Sequence, residues 1–118
     1  MRECQIKQET FAGVDVLRLD GSLDSYSFPR LESSMNSLRT NNRNLIVLDC
    51  ANLDYINSAA LGALIGFARR ARENGGDLKL ASLSAKVSSI IEMLGFDKIL
   101  HILPDVEQAV AKFAPAGR

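Results

Sequence analysis

The stretch LIVLDCANLDYINSAALG, residues 45–62, changes character halfway along. Its first part, Leu45-Ile46-Val47-Leu48-Asp49-Cys50, is a short and nearly continuous apolar run, the composition of a strand buried on both faces. Its last part opens a helical pattern, because from Ser58 to about Glu73 the residues Leu61, Leu64, Ile65 and Ala68 fall on one face. Arg69, Arg70, Arg72 and Glu73 gather near the end of that helix, where cations complement the dipole, and Gly75-Gly76 stops it. A central strand that leads into a helix is half of a parallel crossover, so the stretch predicts a sheet with helices packed on it.

The flanking sequence extends the same plan. Cys4 to Phe11 alternates as a strand, Ala12-Gly13 is a turn signal, and Val14 to Leu19 is a second strand, together an opening β-hairpin. Asp20 to Ser27 is dense in turn and cap formers, after which Phe28, Leu31, Met35 and Leu38 mark one face of a helix that tolerates Pro29 in its first turn. A strand from Leu78 to Leu83 follows. Ser84 then caps a helix carrying Val87, Ile90, Ile91 and Leu94, and Gly95 ends it. A short strand, Ile99 to Leu103, and a helix from about Pro104 to Phe113 complete the order β-β-α-β-α-β-α-β-α. The expectation is a single α/β domain over residues 1–118, with an ordered core from about 3 to 113. Its sheet is mixed and mostly parallel, with about four helices packed on it.

Composition narrows the function classes. A chain of 118 residues with 47% hydrophobic and 24% charged side chains is the size and make-up of one globular domain. Its 14 basic and 14 acidic side chains cancel, which removes the electrostatic footprint that nucleic-acid binding requires, so no nucleic-acid partner is expected. Cys4 and Cys50 fall in predicted strands and read as buried thiols of a reducing compartment. The charged N-terminus has no signal-peptide core and no segment approaches the ~20 apolar residues of a membrane span, so the expected location is the cytoplasm, without membrane insertion.

Catalytic chemistry finds little support. A Ser-His-Asp arrangement could be drawn from Ser58, His101 and Asp49 or Asp54, but Asn57-Ser58-Ala59-Ala60 lacks the glycines of a nucleophile elbow and His101 lies within a predicted strand. No glycine-rich phosphate loop follows a strand, and the acidic residues do not cluster at metal-ligand spacing. No enzyme activity, metal or cofactor is expected. Ser58 itself reads as a helix cap, worth ~1 kcal/mol. Strand-to-helix loops of an α/β sheet share one edge, which brings Ser22, Leu23, Asp24 and Tyr26 near Asn57 and Ser58. Asp24 either caps the first helix or meets a partner, and Tyr26 either shields apolar surface or does the same.

Several segments together resemble one family. Gly21-Ser22-Leu23-Asp24-Ser25-Tyr26-Ser27 resembles its Gly-x-Leu-Asp-x-x-Thr/Ser segment, and Ile46-Val47-Leu48-Asp49 its central strand. Ile56-Asn57-Ser58-Ala59-Ala60-Leu61-Gly62 resembles the Asp-Ser-x-Gly-Leu-Gly motif of STAS domains, specifically the bacterial anti-sigma factor antagonists. Gly75 to Leu80 and Met93 to Ile99 resemble later landmarks. Asn57 stands where the motif has aspartate, and Ala60 where it has glycine.

The resemblance implies that Ser58 is phosphorylated by a partner that is both an anti-sigma factor and a GHKL-type serine kinase. The unphosphorylated protein binds that kinase and releases the sigma factor, phosphorylation ends binding, and a PPM-type phosphatase resets the switch. For the loop, the resemblance implies partner contact at Leu23 and Asp24 only; the shared sheet edge adds Ser22 and Tyr26, so the expected partner surface comprises Ser22, Leu23, Asp24, Tyr26, Asn57, Ser58 and Ala59. The alternative is a STAS accessory subunit of a lipid or anion transporter, with the same surface in constitutive contact and no phosphorylation.

Overall fold

The structure, a computed structural model, describes residues 4–113; the expected start of the core at residue 3 lies outside the described residues. Strand β1 (Gln5–Phe11) turns into β2 (Val14–Leu23), and α1 (Phe28–Thr40) leads to β3 (Leu45–Ile56). Helix α2 (Ser58–Glu73) leads to β4 (Asp77–Ala81), α3 (Ala85–Met93) leads to β5 (His101–Leu103), and α4 (Val106–Ala111) follows. Among the described residues the five strands form one sheet in the order β1-β2-β3-β4-β5, with β1 antiparallel to β2 and each later pair parallel. This is the single α/β domain the sequence predicts.

Each parallel crossover steps to the next strand in the same direction, and right-handed crossovers of that kind put their helices on one face. The packing shows the result. Leu17 and Leu19 of β2, Ile46 and Leu48 of β3, and Leu78 and Leu80 of β4 share one core with Leu31 of α1, Leu61 and Leu64 of α2, and Val87 and Ile91 of α3. The alternate residues Val14, Val16, Val47 and Ala81 point to the other face and pack with Leu103 and with Ala109 of α4.

Several boundaries differ from the sequence reading, for local reasons. β2 continues to Leu23 beyond Leu19, and β3 to Ile56 beyond Cys50, although Asp20, Ser22, Asn52 and Asp54 have turn-forming side chains. The β2–β3 register shifts between Arg18 and Asp20 and between Gly21 and Ser22, and Gly21 has φ 127°, a conformation a Cβ disfavours. β4 stops at Ala81, short of Leu83, because Ser82 turns to φ 61° and donates its N–H to the Leu103 carbonyl at 3.3 Å. β5 starts at His101 because the Phe96 carbonyl draws in the N–H groups of Ile99 and Leu100 in a 3₁₀ turn. α4 is shorter than the expected 104–113, capped by Asp105, whose Oδ1 accepts from the Gln108 N–H at 2.8 Å. Cys4 lies just before β1 rather than in it, buried like Cys50. Burial pushes the Cys50 thiol up to about 12, which leaves it an inert core residue. The Ser84 cap is as read, with Oγ accepting from the Val87 N–H at 3.1 Å.

A polar cluster anchors the start of β4. Asp77 accepts from Arg72 Nε at 2.7 Å and from Lys79 Nζ at 3.0 Å, and Lys79 Nζ also lies 2.8 Å from His101 Nδ1. Burial opposes the Asp77 charge, but the hydrogen bonds from Lys79 and Arg72 outweigh it and hold the carboxyl below its usual range. Burial, then the Lys79 charge, pushes the His101 imidazole down, consistent with a neutral ring accepting from the ammonium.

The opening hairpin turns through Ala12 at φ 51° and Gly13 at φ 80°, both left-handed, as the type I′ connection demands. Alanine pays for that conformation where asparagine suffers less, so Ala12→Asn is expected to raise the unfolding free energy by about 0.5–1 kcal/mol. A higher urea midpoint at unchanged m-value checks it.

Candidate functional site

The last rung of the β2–β3 ladder pairs Leu23 with Ile56, and the Asn57 N–H adds one more bond to the Leu23 carbonyl at 3.1 Å. Asn57 is thereby fixed in extended conformation, φ −97° and ψ 169°, at the threshold of α2. Its Oδ1 accepts from the Ala60 N–H at 2.8 Å and its carbonyl from the Leu61 N–H at 3.1 Å. Asn57 is therefore the cap of α2, which corrects the expectation that Ser58 fills this role. A cap needs extended backbone and a side-chain acceptor directed back at the first turn, and Ser58 is already the first helical residue. The amide oxygen supplies the acceptor that an aspartate would supply, without its charge.

Freed of capping, Ser58 is exposed and its hydroxyl makes no hydrogen bond with any other described residue. Ala59 and Gly62 are exposed beside it, while Ala60 and Leu61 are buried in the core. The hydroxyl thus stands among small side chains at the positive end of a 16-residue helix.

The neighbouring surface is the loop from β2 to α1, held by its own hydrogen bonds. Asp24 Oδ1 accepts from the N–H groups of Tyr26 and Ser27, both at 3.0 Å, and the Asp24 carbonyl accepts from the Phe28 N–H at 2.8 Å. Ser27 Oγ donates to the Ser22 carbonyl at 2.7 Å and accepts from the Asp24 N–H at 3.0 Å. The Asp24 carboxylate therefore caps the turn that runs into α1, and its bond from the Ser27 N–H, above all, holds it below the usual carboxylate range. The tips of the two loops meet where Asn57 Nδ2 lies 3.5 Å from Ser25 Oγ, the outer limit of a hydrogen bond.

Placement separates the expected surface residues. Asp24 and Asn57 are partly exposed, and Tyr26, Ser58 and Ala59 are exposed. Tyr26 is 90% accessible, which rules out the alternative that it shields apolar surface. Ser22 and Leu23 are corrected: at 3% and 0% accessibility they are buried and present nothing to a partner. Leu23 belongs to the core, and the Ser22 carbonyl accepts from Ser27 Oγ in the loop's internal bonding. Sequence reasoning passed over Ser25, whose exposed hydroxyl completes the surface; its place between Asp24 and Tyr26 in a turn was the available signal. A shallow depression of about 650 Å³ lined by Tyr26, Pro29, Arg30 and Ser33 continues the surface along α1.

Ser58, His101 and Asp49, which a hydrolytic triad would need side by side, are not brought together. His101 sits level with Val47 through the β3–β4–β5 register, whereas Asn57 is ten residues further along β3, roughly 30 Å at ~3.3 Å per residue. Asp49 accepts from Arg18 at 3.2 Å and from the Ala51 N–H. Among the described residues no group of three metal-ligating side chains occurs, and no helix is long and apolar enough to cross a membrane.

Residues 5–109 match the family model of the STAS domain, and the chain belongs to that family. It is 27% identical over 109 residues to the anti-sigma F factor antagonist of Paenibacillus polymyxa, a match spanning 92% of this chain and 93% of that one. Its fold superposes on an anti-sigma factor antagonist from Mycobacterium paratuberculosis with a TM-score of 0.86 at 18% identity, over 96% of each chain. It also superposes on the Bacillus anti-sigma factor antagonist SpoIIAA, at 16% identity and a TM-score of 0.72 for the unphosphorylated form, over 93% of this chain and 97% of that one. For the phosphorylated form the values are 17% and 0.68, over 92% and 98%.

The cap geometry makes a stability prediction at this site. Asn57→Ala removes the acceptor for the Ala60 N–H and is expected to cost ~1 kcal/mol, whereas Asn57→Asp keeps the acceptor and is expected to be neutral or stabilising. Thermal unfolding of the two variants checks it.

Proposed function

We propose that this protein is an anti-sigma factor antagonist of a partner-switching circuit, a substrate and binding module rather than an enzyme. The unphosphorylated protein binds a GHKL-type serine kinase that doubles as the anti-sigma factor, and so releases the sigma factor. Phosphorylation of Ser58 ends that binding, and a PPM-type phosphatase restores it. The observation that carries this assignment is the exposed, uncommitted hydroxyl of Ser58 at the first position of α2, with Asn57 doing the capping. A kinase acting on such a serine does not have to break a structural bond to reach it. The antagonist role of the P. polymyxa relative supports the same conclusion, as does the occurrence of SpoIIAA in phosphorylated and unphosphorylated forms.

The binding surface is Asp24, Ser25, Tyr26, Asn57, Ser58 and Ala59. Tyr26 is its natural anchor, since an exposed tyrosine on a hydrogen-bonded loop offers large contact area at small entropic cost. The test is to incubate the protein with ATP and its candidate kinase and locate the added phosphate by mass spectrometry. One phosphate on Ser58, absent from Ser58→Ala, is the expected result. Phosphate elsewhere, or undiminished labelling of Ser58→Ala, would overturn the assignment.

A further inference from the structure

Strand β1 is the edge of the sheet, and among the described residues no strand lies beyond it. All of β1 except Ile6 is exposed, and it pairs with β2 along its whole length, from Gln5 opposite Asp20 to Phe11 opposite Val14. A seven-residue edge of this kind presents a row of backbone donors and acceptors that a further strand could satisfy. Natural edges are commonly blocked by lysine, and Lys7 is such a residue. Two positions on, however, β1 carries the opposite charge at Glu9, and the pair is symmetric about Gln8.

We propose that two copies of this chain associate through β1 in antiparallel register centred on Gln8, extending the sheet across a two-fold axis. That register sets Lys7 of each copy opposite Glu9 of the other, twice, and Ile6 opposite Thr10. Lys7 and Glu9 lie on the α4 face, in line with Val16 and Arg18 of β2, because directly opposed residues of an antiparallel pair share a face. Registers centred one residue to either side bring Lys7 against Lys7 or Glu9 against Glu9, which like-charge repulsion disfavours. The arrangement is isologous, as a closed dimer requires, and selects one register from the sequence of β1 itself. Glu9 also lies 3.4 Å from Arg18 of its own chain, which holds its carboxylate on the face where Lys7 of the second copy would arrive. The strand directions are reversed across the axis, so the two Ser58 surfaces sit at opposite ends of the assembly and both stay open.

The test is sedimentation velocity over a concentration series, with unchanged circular dichroism as the check on folding. The wild-type protein is expected to pass from monomer to dimer as concentration rises. Lys7→Glu sets glutamates against each other at both pairs and is expected to weaken the dimer roughly tenfold or more, and the charge swap K7E/E9K to recover most of the loss. A wild-type protein monomeric throughout, a dimer indifferent to Lys7→Glu, or a swap that restores nothing would each overturn the proposal.

Discussion

On the proposed switch, the protein phosphorylated on Ser58 is expected to bind the kinase ~100-fold more weakly than the unmodified form, with little change in its own stability. The two halves of that expectation come from the same position. At the first residue of α2, the N–H groups of Ser58 and Ala59 point out of the helix end without a partner among the described residues, since Asn57 satisfies Ala60 and Leu61. A phosphate brings about −1.5 to −2 charges to a terminus that carries roughly half a positive charge, so the fold tolerates it. A partner surface fitted to a neutral hydroxyl must instead desolvate the new charge, and a penalty of ~3 kcal/mol suffices for a hundredfold loss. Ser58→Asp is expected to lose less, because a carboxylate carries less charge on a shorter arm. Calorimetric titration of the three forms against the kinase, paired with thermal melts, measures both halves. Equal affinities would remove the charge from the mechanism.

The largest expected effect on the fold itself lies far from that surface. A Cβ built on Gly76 would collide with the backbone carbonyl of Asn44 and with the Asn44 Cβ. That carbonyl also accepts the Asp77 N–H at 2.9 Å, the bond that starts the β3–β4 ladder. No side chain can rotate away to make room, so β4 or the end of the α1–β3 connection must shift. Gly76→Ala is expected to lower the unfolding free energy by roughly 2–3 kcal/mol. The control is Gly66→Ala inside α2, where a Cβ meets nothing within 4 Å; it is expected to raise stability by up to about 1 kcal/mol through helix propensity. Denaturant unfolding of both distinguishes close approach from a general intolerance of substitution at glycine.

The α/β architecture was legible because it is written in periodicity. Leu45–Cys50 and the Leu61-Leu64-Ile65-Ala68 face declare a buried strand and an amphipathic helix whatever surrounds them. The outer halves of β2 and β3 were not legible, since Asp20, Ser22, Asn52 and Asp54 are poor strand formers, and the ladder that pairs Asp20 with Gln5 and Asn52, and Ser22 with Tyr55, cannot be seen in local sequence. The site suffered from the same gap. Placing Ser58 at the join was possible from the change of period, but which of two adjacent cap-competent residues caps depends on where the Leu23 carbonyl fixes Asn57. Likewise, Ser22 and Leu23 look like loop until β2 is seen to reach them, where they pair with Tyr55 and Ile56 of β3 and both are buried.

Among the described residues only Ile46–Asp49 of β3 is paired on both sides, to β2 and to β4; from Asn52 to Ile56 the strand has β2 alone as its ladder partner. In mechanical terms β3 is a cantilever, clamped at its root in the middle of the sheet and carrying Ser58 at its tip. Load applied at the tip falls on a single ladder with two register irregularities and on the buried core contacts of Leu53 and Ile56. Such a beam leaves the end that carries Ser58 with fewer ladder partners than the root in the middle of the sheet.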